Sequence, residues 1–377
     1  MTRRICYVSG TRADFGLMRS SLLAVQSRPG LELDVLVTGM HLSAEYGHTA
    51  REIHESGLLV RAEVPVPLEP ATGATMARNL GRMIMAFVDE WTSDRPDIVL
   101  LLGDRGEMLA GAIAAIHLNL PIVHVHGGER SGTVDEPVRH AISKLAHFHF
   151  VATQDSRERL IRMGERPEAV WVTGAPGLDG LVQLATLSRV ALCEELGLDP
   201  ERPVALMVFH PVLQEAEQAA GATRLILDSL CKQGMQVVAV MPNSDAGSAP
   251  IREELQARHG QHGVRVLTHL ARSQFASWMA QCDVMVGNSS AGIIEAASFG
   301  TPVLNLGSRQ YLRERNTNTV DAPLEHAALL DAFQLLLRRG RQPSLNVYGD
   351  GHTAERIADL LGSLTPTPDL LSKTNAY

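Results

Sequence analysis

The sequence predicts an α/β protein of two Rossmann-like, doubly wound domains, each built on a parallel sheet. Short runs rich in β-branched residues alternate with longer amphipathic stretches, which is the pattern of βαβ units. This alternation restarts after a Gly- and Pro-containing seam at residues 177–203. The length of 377 residues also suits two domains of about 150–200 residues each.

The predicted strands form two series of similar size. In the first domain, residues 1–178, the strand-like runs are 5–9, 33–38, 98–102, 122–125 and 148–152. In the second domain, residues 188–350, they are 204–209, 236–241, 264–267, 284–287 and 303–306. Ligands of such sheets bind beyond the carboxyl ends of the strands, so polar residues at those ends are expected to line an interdomain cleft.

Composition and charge argue against several classes of function. Lys and Arg number 34 against 42 Asp and Glu, and the net charge of −8 argues against broad nucleic-acid binding. The sequence has no apolar run of the ~18–20 residues that a membrane span needs, and its start lacks a signal-peptide core. The four cysteines are far apart, which favours buried thiols over zinc ligands or disulfides. We therefore expect a cytoplasmic protein.

Two turns carry residues suited to phosphate. Gly10, Thr11 and Arg12 form either an anion-binding turn with free backbone N–H groups or only a tight βα turn. In the second domain, a strand ends in Gly-Asn-Ser-Ser where a helix opens, so hydroxyls and N–H groups face one point. The predicted phosphate site there is formed by Asn288, Ser289, Ser290 and Gly292, with helix capping as the alternative.

Three further residues of the second domain extend this nucleotide site. Glu295 is placed to accept hydrogen bonds from ribose hydroxyls. Arg309 and Arg313 either reach a pyrophosphate or lie on the surface.

Candidate acid/base groups follow two strands of the first domain. Asp104, with Arg105 beside it, is either a general base or the N-cap of the next helix. The densest polar cluster follows the next strand, and neighbouring carboxylates push their pKa values apart, which suits acid/base roles. Two His residues alone are a weak ligand set, so we favour a metal-free catalytic cluster. Its candidate members are His126, Glu129, Asp135, Arg139 and His140.

Two polar positions of the second domain complete the candidate set. His210 either faces the cleft or only fixes its loop, and Asn243 either lines the cleft or sets a turn. A phosphate site in one domain and carboxylates in the other describe an enzyme that acts on a nucleotide-activated small molecule.

Taken in order, these motifs resemble those of the hydrolysing UDP-N-acetylglucosamine 2-epimerases, especially the branch that serves sialic and legionaminic acid synthesis. The resemblance spans residues 3–362, and its motifs are 10–16, 103–105, 126–129, 135–140, 210–211 and 287–295. It implies a GT-B fold in which a helix at about 354–364 returns to the first domain. It also implies a nucleotide-sugar substrate, no metal or nicotinamide, and a homodimer or homotetramer.

The resemblance implies a two-step reaction. A base removes the C2 proton while UDP leaves C1, and water then adds to the glycal. In this family pattern Asp104, Glu129 and Asp135 are the acid/base candidates, and His210 contacts the departing phosphate. One departure is His126, which stands where many non-hydrolysing relatives have Glu; it favours the hydrolysing branch.

The resemblance leaves the sugar open. The expected substrate is UDP-N-acetylglucosamine, with a UDP- or GDP-linked 2,4-diacetamido-trideoxyhexose as the alternative. A GT-B glycosyltransferase is a further alternative.

Overall fold

Two parallel sheets, one after the other along the chain, organise the protein. The computed structural model describes residues 2–132, 135–343, 345–367 and 371–376. Every strand pairing in it is parallel. The prediction of two doubly wound α/β domains is confirmed.

The first sheet has seven strands in the described residues, in the order β3-β2-β1-β4-β5-β6-β7. The strands are β1 (Arg3–Ser9), β2 (Leu31–Thr38), β3 (Leu59–Val64), β4 (Ile98–Leu102), β5 (Ile122–Val125), β6 (Phe148–Val151) and β7 (Val170–Val172). The accompanying helices are α1 (Arg12–Ser27), α2 (Ala50–Glu55), α3 (Gly73–Ser93), α4 (Gly106–His117), α5 (Asp135–Leu145) and α6 (Gln154–Arg162).

The second sheet has six strands in the same described ranges, in the order β10-β9-β8-β11-β12-β13. They are β8 (Val204–Val208), β9 (Gln236–Val240), β10 (Val264–Leu267), β11 (Val284–Gly287), β12 (Val303–Leu306) and β13 (Thr319–Ala322). Its helices are α7 (Leu181–Leu184), α8 (Arg189–Leu196), α9 (Ala219–Lys232), α10 (Ser248–Arg258), α11 (Arg272–Gln281), α12 (Ser290–Ile294) and α13 (His326–Arg339).

Burial on both faces explains the apolar strands. β4 and β8 are buried along their whole length, as expected of central strands covered by helices on both sides. The strand order reverses between β1 and β4 in the first sheet, and between β8 and β11 in the second. Loops diverge at such reversals, and a crevice opens there at the carboxyl ends of the strands.

The last helix, α14 (Thr353–Ser363), belongs to the first domain although it follows the second in sequence. Ile357 and Leu361 lie in the same buried cluster as Met18 and Leu22 of α1. The segment that leads from the first domain to the second contacts the segment that leads back, because the N–H of Ala175 donates to the carbonyl oxygen of Tyr348 at 2.7 Å. No helix among the described residues is long and apolar enough to cross a membrane.

Candidate active site

The predicted site residues gather where the strand order of each sheet reverses. In the first domain, Gly10 follows β1 and Asp104 follows β4, the two strands that flank the reversal. In the second domain, His210 follows β8 and Asn288 follows β11, which flank the other reversal. The sites of the two domains therefore meet across one cleft.

Asp104 is held by a buried cation. Arg139 of α5 forms an ion pair with the Asp104 carboxylate, and its guanidinium is 1% exposed. Arg139 also donates to the Glu129 carbonyl oxygen at 3.0 Å and to Ser131 Oγ at 3.3 Å. Burial alone raises the pKa of Asp104, but Arg139 and the nearby arginines of the second domain outweigh it and lower that pKa to about 2. Asp104 is therefore ionised at any physiological pH.

Glu129 lies between a histidine of its own domain and an arginine of the other. It is 3% exposed, contacts His126 Nδ1 at 2.5 Å, and forms an ion pair with Arg313. Burial, with Arg313 and Arg139, lowers the pKa of His126 to about 3, so the ring is neutral and donates to Glu129. Arg313 therefore meets a carboxylate across the cleft, where the sequence predicted a pyrophosphate contact or a surface position.

Asp135 begins α5 and faces the second domain. Arg309 approaches it, with 3.5 Å between Nη2 and Oδ2, and also donates to the Asn288 carbonyl oxygen at 3.2 Å. Burial raises the pKa of Asp135, and the charge of Asp104 raises it further. Asp104 and Asp135 thus have pKa values displaced in opposite directions, as expected of carboxylates that share one acid/base site.

His210 is fixed from two sides. Asn288 Oδ1 accepts from the His210 N–H at 2.7 Å, and Asn288 Nδ2 donates to the His210 carbonyl oxygen at 2.9 Å. The Asn243 N–H approaches His210 Nδ1 at 3.4 Å. Burial, with Arg309 and Arg105, lowers the pKa of His210 to about 3. The ring is therefore neutral. Because Nδ1 faces the Asn243 N–H, which can only donate, the ring proton is assigned to Nε2.

A narrow pocket of about 20 Å³ lies between the domains beside these groups. Its charged lining residues are Asp135, Asp245 and Arg309. Asp245 also meets Arg105 of the first domain at 3.3 Å and accepts from Asn243 at 2.5 Å. The remaining lining residues are the mainly apolar Met76, Pro211, Val212, Leu213 and Ala246.

The turn after β1 matches the second of its two predicted alternatives, a tight βα turn. The N–H groups of Gly10 and Thr11 donate to Asp14 Oδ2 at 3.0 and 2.6 Å, so they are not free for an anion in this structure. Thr11 and Asp14 form a capping box, which the Thr-x-x-Asp spacing could have indicated. Arg12 pairs with Glu52 at 2.8 Å.

The hydroxyl of Ser289 in the Gly-Asn-Ser-Ser segment bonds to the local backbone. Ser289 caps the five-residue helix α12, and its hydroxyl accepts from the Ala291 N–H at 3.3 Å. Ser290 is half-buried at the first position of that helix. Gly292 is buried, and a Cβ there would lie 3.1 Å from Val303, so a glycine is needed for packing. Its contact with substrate stays a prediction.

Neither Glu295 nor His140 pairs with Asp104, Glu129 or Asp135 in the contacts described. Glu295 is 2% exposed and pairs with Arg272, whose Nη2 also donates to the Gly177 carbonyl oxygen at 2.9 Å. The sequence pattern did not indicate Arg272 as a partner of this carboxylate. His140 Nε2 lies 3.6 Å from Glu136, one turn earlier on α5. Among the described residues, no group of three or more His, Cys, Asp or Glu side chains is arranged to hold a metal ion.

Comparison with known proteins gives a consistent result. The family described as UDP-N-acetylglucosamine 2-epimerase matches residues 23–362. A UDP-N,N'-diacetylbacillosamine 2-epimerase (hydrolyzing) of Legionella pneumophila is 47% identical over 377 residues, which is all of both chains. A UDP-N-acetylglucosamine 2-epimerase of Neisseria meningitidis is 32% identical over 96% of this chain and 95% of its own.

Solved structures support the same architecture. The UDP-N-acetylglucosamine 2-epimerase of Neisseria meningitidis bound to UDP-GlcNAc superposes with a TM-score of 0.80 at 20% identity, covering 95% of this chain and 99% of that one. The enzyme of Methanocaldococcus jannaschii gives 0.79 at 16% identity, over 95% and 99% of the two chains. The predicted GT-B-like fold is confirmed. By its sequence along most of its length, this chain belongs to the UDP-N-acetylglucosamine 2-epimerase family.

Proposed function

We propose that this protein is a hydrolysing 2-epimerase whose substrate is a UDP-linked 2,4-diacetamido-2,4,6-trideoxyhexose, UDP-N,N'-diacetylbacillosamine. The observation that carries the choice of sugar is the 47% identity over both full chains with the Legionella enzyme of that name. UDP-N-acetylglucosamine, the substrate first expected from the motifs, is the second candidate, because the Neisseria relative at 32% identity is named for it.

In the proposed complex, the C4 and C6 substituents of the sugar lie against the apolar residues at the pocket between the domains. This sugar has a methyl group at C6 and an acetamido group at C4, where N-acetylglucosamine has hydroxyls. Met76, Val212 and Leu213 offer apolar surface to such methyl groups. A hydroxyl desolvated against the same surface without a partner would lose affinity.

The proposed first step removes the C2 proton and expels UDP. A carboxylate with a raised pKa is a stronger base, so Asp135 is the better proton acceptor of the Asp104–Asp135 pair. Asp104 remains ionised, and its charge contributes to the basicity of Asp135. Glu129, buried beside neutral His126, is the third candidate for proton transfer when water adds to the glycal.

The second domain is proposed to receive the leaving UDP. The neutral His210 ring has its Nε2–H available for a phosphate oxygen, and Arg309 lies between Asn288 and Asp135. An arginine in that position can stabilise the charge that develops on the diphosphate as the C1–O bond breaks. Glu295 and its partner Arg272 remain the proposed ribose site.

The test compares two donors without any acceptor. The purified protein is incubated in D₂O with UDP-N,N'-diacetylbacillosamine or UDP-N-acetylglucosamine, and UDP release and C2 deuteration are followed by NMR. We expect the diacetamido donor to give UDP and deuterated free sugar. UDP-N-acetylglucosamine should react slowly or not at all, with kcat/KM about a hundredfold lower or less. Equal or better use of UDP-N-acetylglucosamine would reverse the choice of sugar. UDP release that requires a sugar acceptor would identify a glycosyltransferase instead.

Two variants test the assignment of the acid/base groups. Asp135→Asn and Glu129→Gln are each expected to lower kcat by about a hundredfold or more while UDP still binds. The control is Asp94→Asn, because Asp94 lies on the surface and pairs only with arginines of its own domain in the contacts described. Full turnover in both site variants would show that neither carboxylate transfers the proton.

A further inference from the structure

His124 lies beneath the site rather than in it. It belongs to β5 and is fully buried, at 0% exposure. Its Nε2 lies 2.7 Å from the Gly103 carbonyl oxygen, and its Nδ1 lies 3.0 Å from Ser143 Oγ. A carbonyl oxygen can only accept, so Nε2 carries the proton and Nδ1 accepts from the Ser143 hydroxyl. Both ring nitrogens are thereby used, which leaves neither for proton transfer to a substrate.

The group that His124 holds is the residue before Asp104. Gly103 has φ = +80°, a left-handed conformation that favours glycine, and its N–H donates to the Val125 carbonyl oxygen at 2.9 Å. The His124 bond fixes the carbonyl side of the same residue. The direction of the Asp104 side chain therefore depends on the two hydrogen bonds that hold the N–H and the carbonyl oxygen of Gly103.

We propose that His124 is a positioning residue, which holds the Gly103 carbonyl so that the Asp104 carboxylate meets Arg139 in the cleft. The proposal rests on the proposed function, since it gives Asp104 its place in that reaction. Two features restrict the space of the His124 ring and of its partner. Ser143, the other partner of His124, has its carbonyl oxygen fixed by Lys373 Nζ at 2.9 Å. A Cβ on Gly127 would lie only 3.0 Å from His124 Nδ1, so the loop above the ring leaves it little room.

The protonation state of His124 is steady. Burial lowers its pKa to about 3, against a smaller opposing effect of the bond to Gly103. The ring is therefore neutral across physiological pH, and the bond to Gly103 keeps the same donor throughout that range.

Two substitutions separate the two ring nitrogens. In His124→Gln the side-chain amide reaches about as far as Nε2 and can still donate to Gly103, whereas in His124→Asn it reaches only the position of Nδ1. We expect His124→Asn to lower kcat by about tenfold to a hundredfold, with the KM for the UDP-sugar and the Kd of UDP changed less than about threefold. His124→Gln should keep kcat within about fivefold of wild type. Ser143→Ala, which removes only the far partner, should fall between the two variants.

A second measurement does not depend on turnover. Hydrogen exchange of the backbone amides at residues 103–106 is compared in the unliganded proteins. We expect exchange about tenfold faster in His124→Asn than in wild type, and near the wild-type rate in His124→Gln. Exchange in the second domain, for example across β8, is the internal reference.

The outcomes separate this inference from the proposed function. Wild-type kcat or wild-type exchange at 103–106 in His124→Asn would overturn the positioning role. An equal loss of kcat and UDP binding in both variants, with lowered Tm, would show a role in core packing alone and also overturn it. If the wild-type protein turned over no UDP-sugar, the proposed function would fall, and the exchange comparison would still decide whether His124 holds Gly103.

Discussion

Replacing Arg139 by methionine tests whether the buried cation organises the carboxylates of the site. Methionine fills a similar volume but carries no charge and no N–H groups. Asp104 then loses the largest opposing influence on its pKa, while the burial that raises this pKa remains. The fall of the Asp104 pKa from 3.8 to about 2 is the net effect of burial and of three arginines, of which Arg139 has the largest effect, and it corresponds to about 2 kcal/mol at neutral pH. Without Arg139 we expect this net stabilisation to be lost. Losing the bonds to the Glu129 carbonyl and to Ser131 adds about 1 kcal/mol.

The expected deficit for Arg139→Met is therefore about 3 kcal/mol at pH 7, measured as the free energy of unfolding in urea. Its pH dependence identifies the source. A lowered folded-state pKa stabilises the protein fully above the ordinary value of 3.8, and this stabilisation is lost as pH falls through about 2. The part of the deficit that comes from Asp104 should shrink to about half at pH 3.

The control for this experiment is Arg224→Met. Arg224 pairs with Glu254 at 2.9 Å, but its side chain is 60% exposed, so the urea midpoint is expected to stay near that of wild type. A deficit for Arg139→Met that is constant between pH 7 and pH 3 would refute the reasoning. So would a deficit no larger than that of the control.

Two further predictions concern the backbone of the second domain. Gly287→Ala should cost more than about 3 kcal/mol in urea unfolding, because φ is +137° and a Cβ would overlap the Val208 carbonyl oxygen. Gly180→Ala, where φ is +68° and nothing lies within 4 Å, should cost only about 1–2 kcal/mol, and equal costs would contradict the steric argument. Asn288→Ala removes both bonds to the His210 backbone and should cost about 2–3 kcal/mol and weaken UDP binding in calorimetry. Unchanged UDP affinity in that variant would contradict the placement of His210 beside the diphosphate.

Most strands that the sequence pattern predicts have apolar runs, although the half-buried edge strand β10, which reads Val-Arg-Val-Leu, is also predicted. β4 reads Ile-Val-Leu-Leu-Leu and is buried throughout, so burial on both faces left a clear signal. The pattern does not predict β3, β7 and β13, which lie at sheet edges. β3 alternates Arg and Glu with apolar residues and is mostly half-buried or exposed, because an edge strand has fewer neighbours to cover it. Its polar composition resembles that of a loop.

The residues that line the site were easier to predict from the sequence than the contacts between them. A polar residue directly after a buried strand has few places to lie other than the cleft, which is why Asp104 and His210 could be singled out. The contact of Glu129 with Arg313 joins residues far apart in the chain and depends on how the two domains meet, which local spacing does not encode. The family and the class of reaction are confirmed by the comparisons. The domain boundaries, the roles of the site residues and the homodimer or homotetramer stay predictions.

The return of α14 to the first domain has a consequence for biosynthesis. Its Ile357 and Leu361 complete a core that Met18 and Leu22 begin, so more than three hundred residues separate the two parts of one core. The second domain is continuous in sequence and can fold as soon as it leaves the ribosome. The first domain, although translated earlier, keeps part of its apolar surface uncovered until α14 has been translated. A premature stop codon shortly before residue 353 would therefore damage the half of the protein that was made first.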